Sequence, residues 1–319
     1  MNILIIGGGG VVGRKLASAL VDRGHLMGRD ITKITLADIA DPELKAGSVH
    51  ITGLACDITD PASVSEAITP ETDVIYHLAA VVSAHAEEDF EAGMKINLDG
   101  TRNILERCRT LGTAPVVVFT SSIAVYGGDV PDPVGEQSFL NPQTSYGMQK
   151  AVGELMVNDY SRKGFVDGRA VRLPTISVRP GKPNRAASGF MSSILREPLN
   201  GQEAVCPVGE EFLHYYLSPR LCAENLVRTA EIEAGALGMN RVLQMPGRTW
   251  SIRQMIDAMT AVAGPDPARL IRWEKDEALL KIVGGWRFDI RADRALGLGL
   301  IADDSFEDNI RYYIEDDRG

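Results

Sequence analysis

Hydrophobic positions in the first half of the chain follow two alternating patterns. Short, nearly continuous apolar runs, "NILII" (2–6), "KITLA" (33–37), "VHITGLA" (49–55), "DVIYHLA" (73–79) and "VVVFT" (116–120), are rich in β-branched residues, as strands covered on both faces are. Between them lie longer stretches compatible with helices, at 11–23, 61–68, 85–111 and 143–163. Glycine opens the first, and Asp60-Pro61 gives the second a cap and a first-turn proline. Strand and helix in alternation predict an α/β fold with a doubly wound parallel sheet of the Rossmann kind.

Beyond about residue 175 the rhythm loosens. "VRPGKPNRAASG" (178–189) is rich in Pro, Gly and basic residues and reads as a loop. Helices are expected near 189–197, 218–233, 251–263, 276–282 and 303–315, with short strands near 203–206, 241–244 and 270–273. The expected organisation is a sheet domain over 1–175 and a smaller C-terminal α/β lobe over 176–319 that covers its mouth, with some segments returning to the first core.

Composition narrows the field of functions. The chain has 319 residues, with 33 Lys and Arg against 43 Asp and Glu, a formal charge of -10. That balance argues against a general nucleic-acid or anionic-membrane surface. "MNILIIGGGG" has no basic start and only a short apolar run, so it does not read as a signal peptide. No apolar stretch approaches the ~20 residues needed to span a bilayer. Cys56, Cys108, Cys206 and Cys222 are widely spaced, as buried reduced thiols of a cytoplasmic protein are. The five histidines form no HxxxH or HExxH pair, and no metal site is expected.

The first run of candidate chemistry is "LIIGGGGVVGRKLASAL". Gly7, Gly10 and Gly13 follow a strand and open a helix, which suits a tight turn, close approach to a pyrophosphate and close packing of helix on strand. The amides of Val11 and Val12 would then face phosphate at the positive end of the helix dipole. Asp38 ends the next strand, where a carboxylate can hold an adenosine ribose and would repel a 2′-phosphate. The cofactor expected is therefore NAD rather than NADP.

The second is "TSYGMQK" (144–150), in which Tyr146 and Lys150 stand one helical turn apart and share a face. Alone, the pair could be two exposed residues on a solvated helix. Beside a nicotinamide, an ammonium that lowers the pKa of a phenol gives the spacing a mechanism.

Together with "CDIT" (56–59), "HLAA" (77–80), "NLDGT" (97–101), "TSSIAVYG" (120–127) and "RLPTISVRPG" (172–181), these runs resemble the extended branch of the short-chain dehydrogenase/reductase family in order and spacing. The resemblance implies that Tyr146 is the acid/base, that Lys150 lowers its pKa and holds the nicotinamide ribose, that Ser122 binds the reacting oxygen, and that Asn97 assists a proton relay. It further implies Asp57 and Ile58 at the adenine, Leu78, Ala79 and Ala80 beneath the cofactor, and Pro174 by the nicotinamide. A homodimer through the helices at 85–111 and 143–163 is also expected by resemblance. Against these roles stand plainer ones: Ser122 could cap a turn and Asn97 could bend its helix.

Fold does not settle reaction, so the site must. Ile123 and Ala124 stand where dehydratases of the branch carry an acidic pair, and neither can move a proton. Pro174 and Thr175 replace the Asn usual in nucleotide-sugar enzymes. Arg179, Lys182 and Arg185 gather in one loop of an acidic chain and are candidates to hold a carboxylate or phosphate. Ser83, Thr175 and His214 are further pocket candidates, His214 equally a packed residue. The segment 172–208 most resembles that of dehydrogenases in the branch acting on four-carbon sugar acids, which implies oxidation of the C2 hydroxyl of a D-erythronate-like aldonate to a 2-oxo acid. Two alternatives stand beside it: a nucleotide-sugar 4-epimerase or reductase, and a non-catalytic NAD(P)-binding sensor.

Overall fold

A computed structural model describes residues 1–40, 42, 50–181 and 187–318. Its centre is a seven-stranded parallel sheet built from β1 (Asn2–Ile6), β2 (Lys33–Asp38), β3 (His50–Ala55), β4 (Val74–His77), β5 (Val116–Ser122), β6 (Asp167–Leu173) and a strand at Val242–Gln244. In space they run Val242–Gln244, β6, β5, β4, β1, β2, β3. The reversal of direction in this order beside β1 leaves a crevice at the carboxyl ends of β1 and β4, where doubly wound sheets bind ligands. The strand at Val242–Gln244 comes from the second half of the chain and pairs with β6.

Strand periodicity explains how one sheet serves two cores. Ile3 and Ile5 of β1 pack with Leu36, Tyr76 and Val118 beneath α1 (Val11–Arg23) and the helix at Pro219–Glu231. Leu4 and Ile6 turn to the other side, with Ile75, Val117 and Phe119 beneath α2 (Pro61–Ala67), α5 (Gly100–Leu111) and α6 (Ser145–Arg162). Because both faces are covered, the strands read as unbroken apolar runs. All four cysteines are buried and unpaired.

Two expectations need correction in this half. The single helix expected over 85–111 is instead α3 (Ser83–Glu88), α4 (Phe90–Gly93), a π-helical turn at Met94–Asp99 and α5. Asp89 stops the first piece, and its carboxylate accepts the Ala92 amide to cap the next. β4 ends at His77 rather than Ala79, because the Leu78 and Ala79 amides both turn to the Ile6 carbonyl at 2.8 and 3.0 Å.

The smaller core joins α7 (Phe190–Leu199), the helix at Ile252–Ala263 and that at Phe306–Asp316 around Met191, Tyr216, Met255 and Ile310. A three-stranded sheet stands between the two regions, with Leu213–Leu217 central, Thr175–Ile176 parallel on one side and Arg248–Ser251 antiparallel on the other. None of these three strands is evident in the hydrophobic pattern: they are short, and their partners lie far apart in the chain. Among the described residues no helix is long and apolar enough to cross a membrane.

Candidate active site

The glycine turn is closed to side chains by its own backbone. Gly7 has φ +87°, and a Cβ there would lie 2.6 Å from the Ala79 nitrogen; one on Gly13 would lie 2.5 Å from the Gly7 oxygen. Around Gly10, by contrast, the nearest such atom is 3.4 Å away. Gly10 caps α1 without a side-chain bond, and the first turn carries no acid. The leading amides of Val11, Val12 and Gly13 therefore have no intrahelical acceptor and form a cradle for an anion. Asp38 lies against this turn, its carboxylate accepting the amides of Gly9 at 2.9 Å and Ile39 at 2.8 Å. The arrangement fits a dinucleotide, with diphosphate at the helix end and ribose toward Asp38.

Asp57 is exposed beyond β3, and the Thr59 amide holds its carboxyl below the usual range. Ile58 faces the other way. Its side chain is buried against Gly100, where a Cβ would meet Ile58 Cδ1 at 2.6 Å, so only its backbone remains available to an adenine.

The helix that carries Tyr146 and Lys150 is α6. Thr144 caps it by accepting the Gly147 amide at 3.1 Å, and Gly147 lets it settle directly on the backbone of the loop after β5, because any Cβ there would penetrate the Ala124 carbonyl oxygen. That contact brings Tyr146 beside Ser122, whose hydroxyl holds the phenol's pKa down. Ser122 Oγ accepts the Ala124 amide at 3.1 Å, which leaves its proton to be donated.

Lys150 donates to the Thr120 carbonyl at 2.8 Å and lies 5.7 Å from the centre of the Tyr146 ring. Burial pulls its pKa down to about 7, opposed by the charge of Glu154 one turn further on. Burial likewise pushes Tyr146 up to about 12, with Ser122 the opposing influence. The expected lowering of the phenol by Lys150 is thus not what the site displays: desolvation raises the phenol, and Ser122 is the influence that opposes it. Glu154 is in turn held by Arg172 through two bonds of 2.8 and 2.7 Å, and Arg172 also donates to the Tyr126 hydroxyl.

Asn97 is buried in the π-helical turn. Its amide accepts from the Val81 nitrogen at 2.9 Å and donates to the Val81 oxygen and to Gln149 Oε1. These bonds tie down the segment after β4, which walls the site. Its carbonyl accepts the Thr101 hydroxyl at 2.7 Å.

Ser122, Tyr146 and Lys150 open into a cavity of about 260 Å³ shared with Val12, Leu78, Ala80, Ser83, Pro174, Thr175 and Arg179. His214 also lines it. Its Nε2 is 2.7 Å from the Thr175 hydroxyl and its ring 5.3 Å from that of Trp286. Burial holds this imidazole neutral, with its pKa down at about 3, so His214 is a packed wall residue at neutral pH.

Arg179 is a second cation of the cavity, beside Lys150. It donates to the Ser188 carbonyl at 3.1 Å and forms no ion pair among the described residues. Burial, with Arg196 nearby, draws its pKa down to about 10. A half-buried, partly desolvated guanidinium is free to pair with an anion that a ligand brings. Lys182 and Arg185, its two companions in the sequence argument, lie outside the described residues.

Among the lining residues that escaped the sequence reading are Trp286, Arg287 and Ser188. Trp286 and Arg287 arrive from far along the chain, and Ser188 is too common a residue to stand out. Only the unusual "GGWR" run, a tryptophan after two glycines, could have drawn attention to them.

The glycine cradle, Asp38 and a Tyr-Lys-Ser cluster at one crevice define a dinucleotide-dependent enzyme of the extended short-chain type. The chain belongs to the NAD dependent epimerase/dehydratase family, whose model matches residues 3–212. It is 49% identical to a D-erythronate dehydrogenase of Cupriavidus necator, over 99% of this chain and 98% of that one, and 40% identical to a D-erythronate dehydrogenase of Haemophilus influenzae over 99% and 100%. A crystal structure described as a nucleoside-diphosphate-sugar epimerase from Agrobacterium tumefaciens superposes with TM-score 0.94 at 47% identity, covering 99% of this chain and 94% of that one. The protein is an NAD-dependent dehydrogenase acting on a CH-OH group.

Proposed function

We propose that this dehydrogenase oxidises the C2 hydroxyl of a small sugar acid, a D-erythronate-like aldonate, to the 2-oxo acid. The observation that carries the reading is Arg179, a half-buried guanidinium without an ion-pair partner among the described residues, in the same cavity as Tyr146 and Ser122. Identity to two D-erythronate dehydrogenases supports it.

In this reading Arg179 grips the carboxylate, with Lys182 or Arg185 as possible companions from the same loop. Ser83 and Thr175 face the remaining hydroxyls. Ser122 donates to the C2 oxygen and Tyr146 takes its proton as the C2–H bond breaks and the carbonyl forms. NAD, when bound, supplies the hydride acceptor and a positive ring. Lys150 holds the nicotinamide ribose and adds positive charge beside the phenol, which offsets the desolvation that keeps Tyr146 protonated. Asn97 serves by fixing the Val81 segment. Gly7, Gly10, Val11, Val12 and Gly13 hold the diphosphate, Asp38 the adenosine ribose, Asp57 and the Ile58 backbone the adenine, and Leu78, Ala79, Ala80 and Pro174 line the cofactor's path. Residues 1–175 would thus mainly hold cofactor and 176–319 mainly substrate. Exposed Phe90 on α4 and Leu155 on α6 support a homodimer through those helices.

A second reading, interconversion of a nucleotide sugar, is favoured by the description of the Agrobacterium relative. One screen separates them. Aldonates and UDP- or GDP-sugars are offered with NAD and with NADP, and formation of reduced cofactor and of epimer is followed. The proposal expects aldonate-dependent reduction of NAD, lost about 100-fold or more in Tyr146→Phe. Epimerisation of a nucleotide sugar without aldonate oxidation, or full turnover by Tyr146→Phe, would overturn it.

A further inference from the structure

A second cavity, of about 460 Å³, lies against the first. Four residues line both: Ser83, Ala124, Tyr126 and Trp286. Two of these have small side chains. Tyr126 is buried and pinned, its hydroxyl donating to the Gly135 carbonyl at 2.9 Å and accepting from Arg172. The Trp286 indole is the bulkiest part of the partition, and it comes from the C-terminal half of the chain, whereas the other three come from the first 126 residues.

Its position is well supported nonetheless. The helix at Glu277–Val283 is capped by Asp276 and ends at Gly284, after which the Trp286 amide donates to the Val283 carbonyl at 3.1 Å. One face of the indole meets His214, which Thr175 locks in place. The next residue, Arg287, fastens the loop to Asp132 at 3.2 Å and to the Gly128 carbonyl. The outer cavity behind the indole is lined by polar Glu87, Gln143, Thr144 and Lys281 together with Ile282, a set able to meet the hydroxyls of a longer polyol.

We infer that Trp286 sets the chain length of the acid: it ends the inner cavity just beyond a four-carbon substrate, and the space behind it is where the fifth and sixth carbons of a longer aldonate would go. The inference rests on the sugar-acid reading above. Arg179, Tyr146 and Trp286 line one cavity, and on this inference an acid held at C1 by Arg179 with C2 at Tyr146 extends its distal end toward the shared wall. The selection is steric, so it acts on the ratio of substrates rather than on the reaction itself.

The experiment compares kcat/KM for four-, five- and six-carbon aldonates of matched C2 configuration in the native enzyme, Trp286→Ala and Trp286→Leu. Shortening the side chain is expected to raise the six- to four-carbon ratio at least 10-fold in Trp286→Ala and less in Trp286→Leu, mostly through KM of the longer acid. Should Trp286→Ala fail to fold, Trp286→Leu decides the matter with at least a threefold rise. A variant that keeps four-carbon turnover with an unchanged ratio, or one that loses all chain lengths in equal proportion, overturns the inference while leaving the sugar-acid reading intact. If the native enzyme oxidises none of these acids, it is that reading that fails.

Discussion

Gly147 rests so closely on Ala124 that the carbonyl oxygen of the latter occupies the place of a Cβ on the former. The contact joins the helix bearing the acid/base candidate to the loop bearing its serine, and it explains why a glycine directly follows Tyr146.

Gly147→Ala is therefore expected to push α6 away from that loop. Overpacking of this kind typically costs about 1–3 kcal/mol. Urea unfolding should register that loss, and kcat should fall more than 10-fold as Tyr146 separates from Ser122. Native kinetics in a destabilised variant would show that the contact serves packing alone.

Arg179→Met should separate stability from function. The native guanidinium is half-buried without an anion among the described residues, so an apolar replacement is expected to leave the melting temperature unchanged or higher. KM for the acid should meanwhile rise about 10- to 100-fold, as loss of a charge-assisted bond of about 1.5–3 kcal/mol requires. An unaltered KM would remove Arg179 from the site.

Glu154→Gln leaves Arg172 buried and without its charge partner, a change that costs about 3–5 kcal/mol in comparable cases. Glu154→Leu combined with Arg172→Met should recover most of that in denaturant titrations. Because Glu154 also raises the Lys150 pKa, Glu154→Gln should move the Lys150-dependent limb of the activity profile to lower pH. A profile that stays in place would mean that the two residues are electrostatically independent.

His77 gives a pH dependence of stability. It is buried with Nε2 2.8 Å from the Thr101 hydroxyl, and burial, with Lys150 nearby, lowers its pKa from 6.5 to about 3. The unfolded chain thus binds a proton between pH 6.5 and 3 that the folded chain refuses. The stability His77 contributes is present above pH 6.5 and is lost as pH falls toward 3, at up to about 1.4 kcal/mol per pH unit. His77→Gln should flatten the acid limb of ΔG of unfolding by about that slope, and an unchanged slope would mean that the imidazole is already charged in the fold.

Much of the molecule was legible from the chain because its signals are local. A strand covered on both faces is an apolar run, and the Gly7–Gly13 turn needs glycine for reasons internal to the turn. Tyr146 and Lys150 meet because a helix has 3.6 residues per turn. The break at Asp89 was hidden because the apolar stripe passes through it, and the strand at Leu213–Leu217 because its neighbours come from residues 175 and 249.

By itself the sequence determined the alternation that builds the parallel sheet, the glycine turn that opens α1 and the placing of Tyr146 and Lys150 on one helix face, since each depends on residues a few positions apart whose geometry the backbone enforces. Only the tertiary structure decided that Arg179 is half-buried with no ion pair among the described residues, that the surroundings of Tyr146 are desolvating, and that Trp286 lines both cavities beside it. Those properties depend on burial and on the meeting of side chains more than a hundred residues apart, and neither is encoded in any one stretch of chain.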